Sequence, residues 1–204
     1  MFIGKYNKSI ILTYIGVGLA VTGIYFSFTG NIRYAMLCLA ISGVCDLFDG
    51  MVARRCKRNE EEKLFGVEID SLADMIDFVA LPIALCCGMG MTGWYNLVIY
   101  IVYTLAAIQR LGYFNIGARE SATEVPVKFY TGLPVTFAAL IFTAFWFLSF
   151  YLEKGTFAIA YSLLMLVMAL LFILKIKIPK PRGKAYVILG LFAIVVCCAI
   201  IFVG

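Results

Sequence analysis

The sequence predicts an all-α fold, a polytopic integral membrane bundle of about seven transmembrane helices, and three observations carry that reading. The 204-residue chain is 63% hydrophobic and only 14% charged, whereas soluble domains carry about a quarter charged residues. Apolar runs recur at roughly the 20-residue length that crosses a bilayer. Between them the basic residues collect in alternate connections, the pattern by which cytoplasmic loops are marked.

The runs fall at 9–29, 34–55, 66–88, 94–116, 131–152, 155–174 and 185–203. The first is longer than the apolar core of a signal peptide and no cleavage site follows it, so it is expected to stay as the first span. With the N-terminus inside, 15 of the 17 Lys and Arg residues lie on the cytoplasmic side, leaving Arg33 and Lys154 outside. The net charge of +5 is then a topology signal and an attraction to anionic headgroups, with no need of nucleic acid. Connections are short and no repeat or soluble segment is apparent, so residues 1–204 form a single membrane domain.

Composition also excludes chemistries. There is no histidine, and the seven cysteines form no C-x-x-C pair, so imidazole catalysis, nitrogen-ligated metal and a zinc or disulfide framework are set aside. Most of the cysteines lie inside spans, where they pack as small hydrophobes. The Glu60–Glu62 run and Pro179–Lys184 read as solvated cytoplasmic connections.

What remains is carboxylate chemistry. Eleven of the twelve acidic residues lie on the cytoplasmic side or just within it, and five are aspartates inside spans two and three, where an isolated charge costs several kcal/mol. Asp46 and Asp49 are three apart and share a helix face. Asp70, Asp74 and Asp77 are four and three apart and fall within about 60° of one another at 100° per residue. At 1.5 Å per residue, Asp46 lies roughly 12 Å from Arg54 and Asp74 roughly 12 Å from Gly66, so both faces sit at one level in a cleft open to the cytoplasm.

Carboxylates at that spacing repel unless a cation holds them or some take protons. An all-oxygen ligand set points to Mg²⁺, Mn²⁺ or Ca²⁺. Gly50 and Ala53 remove bulk on the same side, and Arg54 adds a planar cationic fork suited to phosphate. Together these describe a metal-assisted diphosphate site. A small H⁺- or ion-coupled transporter is the alternative from another class, but transporters set such groups near midplane in interrupted helices, often with inverted repeats, and neither feature is evident.

Asp46-Leu-Phe-Asp49-Gly50-Met-Val-Ala53-Arg54 followed by Gly66-Val-Glu-Ile-Asp70-Ser-Leu-Ala-Asp74 resembles the signature of the CDP-alcohol phosphotransferases, D-x-x-D-G-x-x-A-R then G-x-x-x-D-x-x-x-D. The resemblance implies a six-helix core to which a seventh span is added. It implies divalent-metal ligation by Asp46, Asp49 and Asp70, with Asp74 as metal neighbour and catalytic base. It places a CDP-linked lipid along Asp49, Gly50, Ala53, Arg54 and Gly66, with Thr13 of span one near the nucleotide. It also implies a homodimer in the cell membrane with the active site facing the cytoplasm. Eleven residues separate Arg54 from Gly66, two or three more than usual in the family, and Lys63 in that longer connection is expected near the nucleotide or phosphate.

The acceptor alcohol varies within the family. Here FGVEIDSLAD with a later Pro82, Arg110-Leu-Gly-Tyr-Phe114-Asn115 and Tyr130-Thr-Gly132-Leu133-Pro134 resemble the bacterial and archaeal phosphatidylserine synthase group, which implies transfer from CDP-diacylglycerol to L-serine with release of CMP. The acceptor candidates are Asp77, Arg110, Asn115 and Lys128. Asp77 and Val79 stand where that group has Ser and Gly, and RLGYFN alters its RLARFN. Transfer to another alcohol, such as glycerol 3-phosphate or an inositol phosphate, is the alternative acceptor; such a substrate would require further cations, for which Arg110, Arg119 and Lys128 are available.

Overall fold

The computed structural model describes residues 3–5, 7–121, 129–179 and 184–202. Among the described residues the helices group into seven segments. They are α1 (Ile11–Phe28), α2 (Ile32–Arg55), a third span built of α3 (Glu60–Met75), a π-helical turn (Ile76–Ala80) and α4 (Leu81–Gly88), then α5 (Trp94–Ser121), α6 (Phe137–Trp146), α7 (Lys154–Ile173) and α8 (Lys184–Phe202). Five spans are individually long and apolar enough to cross a membrane, while the α6 and α8 regions are shorter apolar helices.

The central element is α2, which packs against α1, α4, α6 and α8 and fully buries Met36, Leu39 and Ala35. Without a hydrophobic force between helices in lipid, close packing of small residues holds such bundles. A Cβ on Gly88 would lie 2.5 Å from the Ser27 carbonyl oxygen, and one on Gly23 would lie 2.9 Å from the Cys38 Cβ. A second body of packing joins α5, α6 and α7, where Tyr103 meets Phe142 and Phe172 at ring separations of 5.9 and 5.5 Å and Phe142 stacks on Tyr161 at 5.4 Å. Exposed apolar side chains such as Ile101, Leu105 and Ile108 on α5, and Leu163, Val167 and Leu170 on α7, form the outer faces.

The third span departs from a regular helix for a local reason. Pro82 has no N–H to offer the Phe78 carbonyl and its ring would crowd that oxygen. The helix widens into the π turn just before it, with the Leu81 N–H reaching the Ile76 carbonyl, and the Phe78 carbonyl accepts instead from the Tyr103 hydroxyl at 2.7 Å. The buried backbone group is thereby satisfied from a neighbouring helix, as the interior of a membrane protein requires.

Two boundaries differ from the sequence expectation. The third span begins at Glu60 rather than 66 because Asn59 starts a capping box, its side chain accepting from the Glu62 N–H at 2.8 Å while its own N–H donates to the Glu62 carboxylate at 2.9 Å. Three glutamates in that first turn also suit the positive end of the helix. The fifth span begins at Phe137 rather than 131, because residues 129–131 form a strand, β1, paired antiparallel with β2 at Lys177–Pro179. After β1, Gly132 takes φ +79, a left-handed conformation that side chains disfavour. Its N–H donates to the Ile176 carbonyl at 2.8 Å, and the Leu133 N–H donates to Leu171 at 3.0 Å. The segment therefore caps the end of α7, supplying partners for carbonyls a helix terminus leaves open.

At the opposite end of the bundle Arg33 does similar work. Its guanidinium donates to the carbonyls of Ile200, at 2.9 Å, and Ile201 near the end of α8.

Gly88→Ala is expected to destabilise the bundle by about 1–3 kcal/mol, since the added methyl meets backbone that cannot rotate away; the check is the thermal midpoint of the purified protein in detergent. Gly132→Ala should do the same through both its backbone conformation and the Phe172 carbonyl, 2.7 Å from the new methyl.

Candidate active site

Helices α2 and α3 deliver the aspartates to one place. Carboxylate oxygens of Asp46, Asp49 and Asp70 lie within 4.8 Å of one another. Oxygens that share one ion at the usual 2.0–2.6 Å can be no more than about 5 Å apart, so this donor set fits a single hard divalent cation. Asp49 is 7% and Asp74 9% exposed, and the Thr13 hydroxyl of α1 donates to Asp49 Oδ2 at 3.1 Å, fixing one oxygen and leaving the other to turn inward.

These groups line a cavity of about 270 Å³. Its walls include Asp46, Asp49, Gly50 and Arg54 from α2, Asp70 and Asp74 from α3, and Arg110 and Phe114 from α5. Arg110 is 6% exposed; its Nε donates to the Leu133 carbonyl at 3.1 Å and its guanidinium carbon stands 5.4 Å from the centre of the Phe114 ring. Arg110 therefore faces the cavity and is not extended toward headgroups. The turn that caps α7 thus also orients an arginine in the cavity wall.

The cavity matches part of the expected site. Thr13 contacts Asp49 but, like Ala53 and Gly66, is not on the cavity wall. Lys63 is turned away: its ammonium is held by Glu60 at 2.7 Å on the exposed side of α3, since the extended α3 gives it an acidic neighbour three residues back. Asp77 is also diverted. The π turn starts at Ile76, one residue before it, and shifts it off the face shared by Asp70 and Asp74. Its Oδ2 lies 2.9 Å from where a Gly16 Cβ would be, and its Oδ1 makes no hydrogen bond among the described residues. Asn115 accepts from the Ser71 hydroxyl at 2.8 Å, tying α5 to α3 outside the cavity lining. Lys128 lies outside the described residues.

Thr136 was missed by sequence reasoning. It sits in the cavity wall within interaction range of Asp46, two residues past Pro134. The only signal for it was its place just after the Gly-Leu-Pro element.

A family model described as CDP-alcohol phosphatidyltransferase matches residues 7–175. The chain belongs to the CDP-alcohol phosphatidyltransferase family. The match takes in α1 through α7 and so every helix carrying an aspartate of the cavity. Members of this family generally use a divalent metal, and the Asp46, Asp49 and Asp70 cluster is a donor set of that kind.

Among similar proteins, an archaetidylserine synthase of Methanothermobacter thermautotrophicus is 29% identical over 161 residues, covering 78% of this chain and 64% of that protein. A CDP-diacylglycerol–serine O-phosphatidyltransferase of Saccharomyces cerevisiae is 32% identical over 117 residues, 54% of this chain and 41% of the relative. One of the same name from Methanocaldococcus jannaschii is 30% identical over 162 residues, 79% and 70% of the two chains. The chain thus spans less than two thirds of the length of the first two relatives.

Replacing Asp46, Asp49 or Asp70 singly by Ala should weaken Mn²⁺ binding by at least about 10-fold, measured by titration calorimetry on the detergent-solubilised protein, with Arg55→Ala unchanged.

Proposed function

We propose that this protein transfers the phosphatidyl group of CDP-diacylglycerol to the hydroxyl of L-serine, releasing CMP. The single observation that carries the proposal is the cavity in which the three clustered aspartates, Asp74, Arg54 and Arg110 converge. Serine as acceptor is supported by the names of the relatives.

A divalent cation held by Asp46, Asp49 and Asp70 supplies charge neutralisation to a diphosphate and its leaving group; Mg²⁺ or Mn²⁺ is the proposed ion. Arg54 presents a bidentate fork to a phosphate, and Gly50 leaves the α2 side of the cavity without bulk. Asp74 accepts the serine hydroxyl proton as the serine Oγ forms its bond to the lipid-bearing phosphorus. The bond from that phosphorus to the bridging oxygen breaks, and CMP leaves with both bonding electrons. Arg110, held by the Leu133 carbonyl, pairs with the serine carboxylate, and Thr136 faces the same space.

The charged end of the bundle, with Lys57, Arg58 and Lys63 around the start of α3, faces the cytoplasm of the cell membrane. The lipid donor enters sideways from the inner leaflet with its chains in the bilayer, and serine enters from the water. The functional unit is a homodimer.

Metal-dependent CMP release, assayed with serine, glycerol 3-phosphate and an inositol phosphate in parallel, tests the acceptor. Release with serine alone is the expected outcome, and release with a phosphorylated acceptor instead would overturn serine. Asp74→Asn should lose about 10²- to 10⁴-fold in turnover, the usual contribution of a general base, while keeping Mn²⁺ binding. For orientation, a variant retaining only Cys56 should react with a membrane-impermeant maleimide in inverted vesicles and not in intact cells.

A further inference from the structure

The longer connection between Arg54 and Gly66 brings a second arginine to the site, and it is not the basic residue that the spacing suggests. Lys63 is engaged by Glu60. Arg58 instead folds back over α3, with its Nη1 3.5 Å from the position a Cβ would take on Gly66. That glycine lies one helical turn, about 6 Å of rise, before Asp70 and on the same face of α3, so Arg58 stands on the side of the helix that carries a cavity aspartate. Arg58 is half-buried and makes no ion pair or hydrogen bond among the described residues. Among the described residues it is therefore a guanidinium near the carboxylate cluster that pairs with none of its members.

Its position is fixed from both sides. The carbonyl of Lys57, just before it, accepts from Asn7 Nδ2 at 3.1 Å. Just after it, Asn59 is locked in the capping box with Glu62. Asn7 Nδ2 also reaches the Glu62 carboxylate at 3.4 Å, and Lys5 pairs with Glu61 at 2.7 Å. The segment before α1 therefore pins the connection at three points around Arg58. Holding the backbone on both sides of Arg58 in place lowers part of the ordering cost of binding an anion, and the planar fork suits a phosphate.

We propose that Arg58 is a further donor-binding residue, contacting a phosphate of the nucleotide-linked lipid beside the aspartate cavity, and that Asn7 is its positioning residue. This rests on the proposed use of a CDP-linked lipid. Gly66 then marks the place on α3 against which the Arg58 fork rests, at ordinary van der Waals distance from where a Cβ would stand.

The test is direct binding of CDP-diacylglycerol to the full chain in detergent micelles with Mn²⁺, by titration calorimetry, for wild type, Arg58→Ala, Arg58→Lys, Asn7→Ala and Arg55→Ala. Arg58→Ala should bind about 10-fold more weakly, Arg58→Lys should fall between, Asn7→Ala should lose about 3-fold, and Arg55→Ala should match wild type. Thermal midpoint and Mn²⁺ affinity measured alone should be unchanged in Arg58→Ala, which separates lost ligand contact from lost structure. Wild-type binding with an Arg58→Ala affinity equal to it, or a loss matched by Arg55→Ala, overturns the role of Arg58 and leaves the donor assignment standing. No binding by wild type overturns the donor assignment and this inference with it.

Discussion

Mutual repulsion among carboxylates in a poorly solvated place is the constraint around which this chain is built. Asp46, Asp49 and Asp70 bring oxygens within 4.8 Å of one another, with Asp74 alongside in the same cavity. Side chains of one sign at that separation stay together only when packing enforces it and opposite charge is at hand. The enforcement comes from α2, held on several sides by other helices, and from α3, whose N-terminus is fixed by a capping box. Opposite charge comes from Arg54 and Arg110 in the cavity wall, and the donor set suits a divalent cation.

At two places in the supporting structure a satisfied backbone group also bears on a functional one. The turn at Gly132 and Leu133 closes the carbonyl end of α7, and the Leu133 carbonyl in turn holds Arg110. The Tyr103 hydroxyl satisfies the Phe78 carbonyl that Pro82 leaves open, which stabilises the π turn that carries Asp77, buried against Gly16 of α1. In a bilayer no water is available to repair such groups, so irregular backbone survives only where a neighbouring helix supplies the bond.

Connections at the charged end do comparable work in water. Lys5, Asn7, Asn59, Glu61 and Glu62 join the start of α1 to the loop before α3. The glutamate run, which reads from its composition as a solvated face, is also the first turn of α3 and the anchor for the residues before α1. The additional residues of this loop therefore lengthen a helix and present Arg58, so the departure in spacing becomes a local structure with a shape of its own.

The sequence by itself determined the seven apolar helical segments, five of them long enough to cross a membrane, the two aspartate faces, and their meeting near one end of the bundle. Those features depend on hydrophobic length and helical periodicity, both written along the chain. The family was legible for the same reason, since its signature is a spacing within two successive helices. Only the tertiary structure decided which polar side chains point into the cavity. Asp77 has the spacing to join Asp70 and Asp74, but a proline five residues on changes the turn beneath it. Lys63 has the charge to meet a phosphate, but Glu60 reaches it first. Arg110 and Thr136 lie in the site beside a strand pair and a glycine turn whose partners, at Leu171, Ile176 and Lys177–Pro179, are distant in the chain. Periodicity fixes which face of a helix a residue occupies; what stands opposite that face depends on packing between helices, which no local spacing encodes.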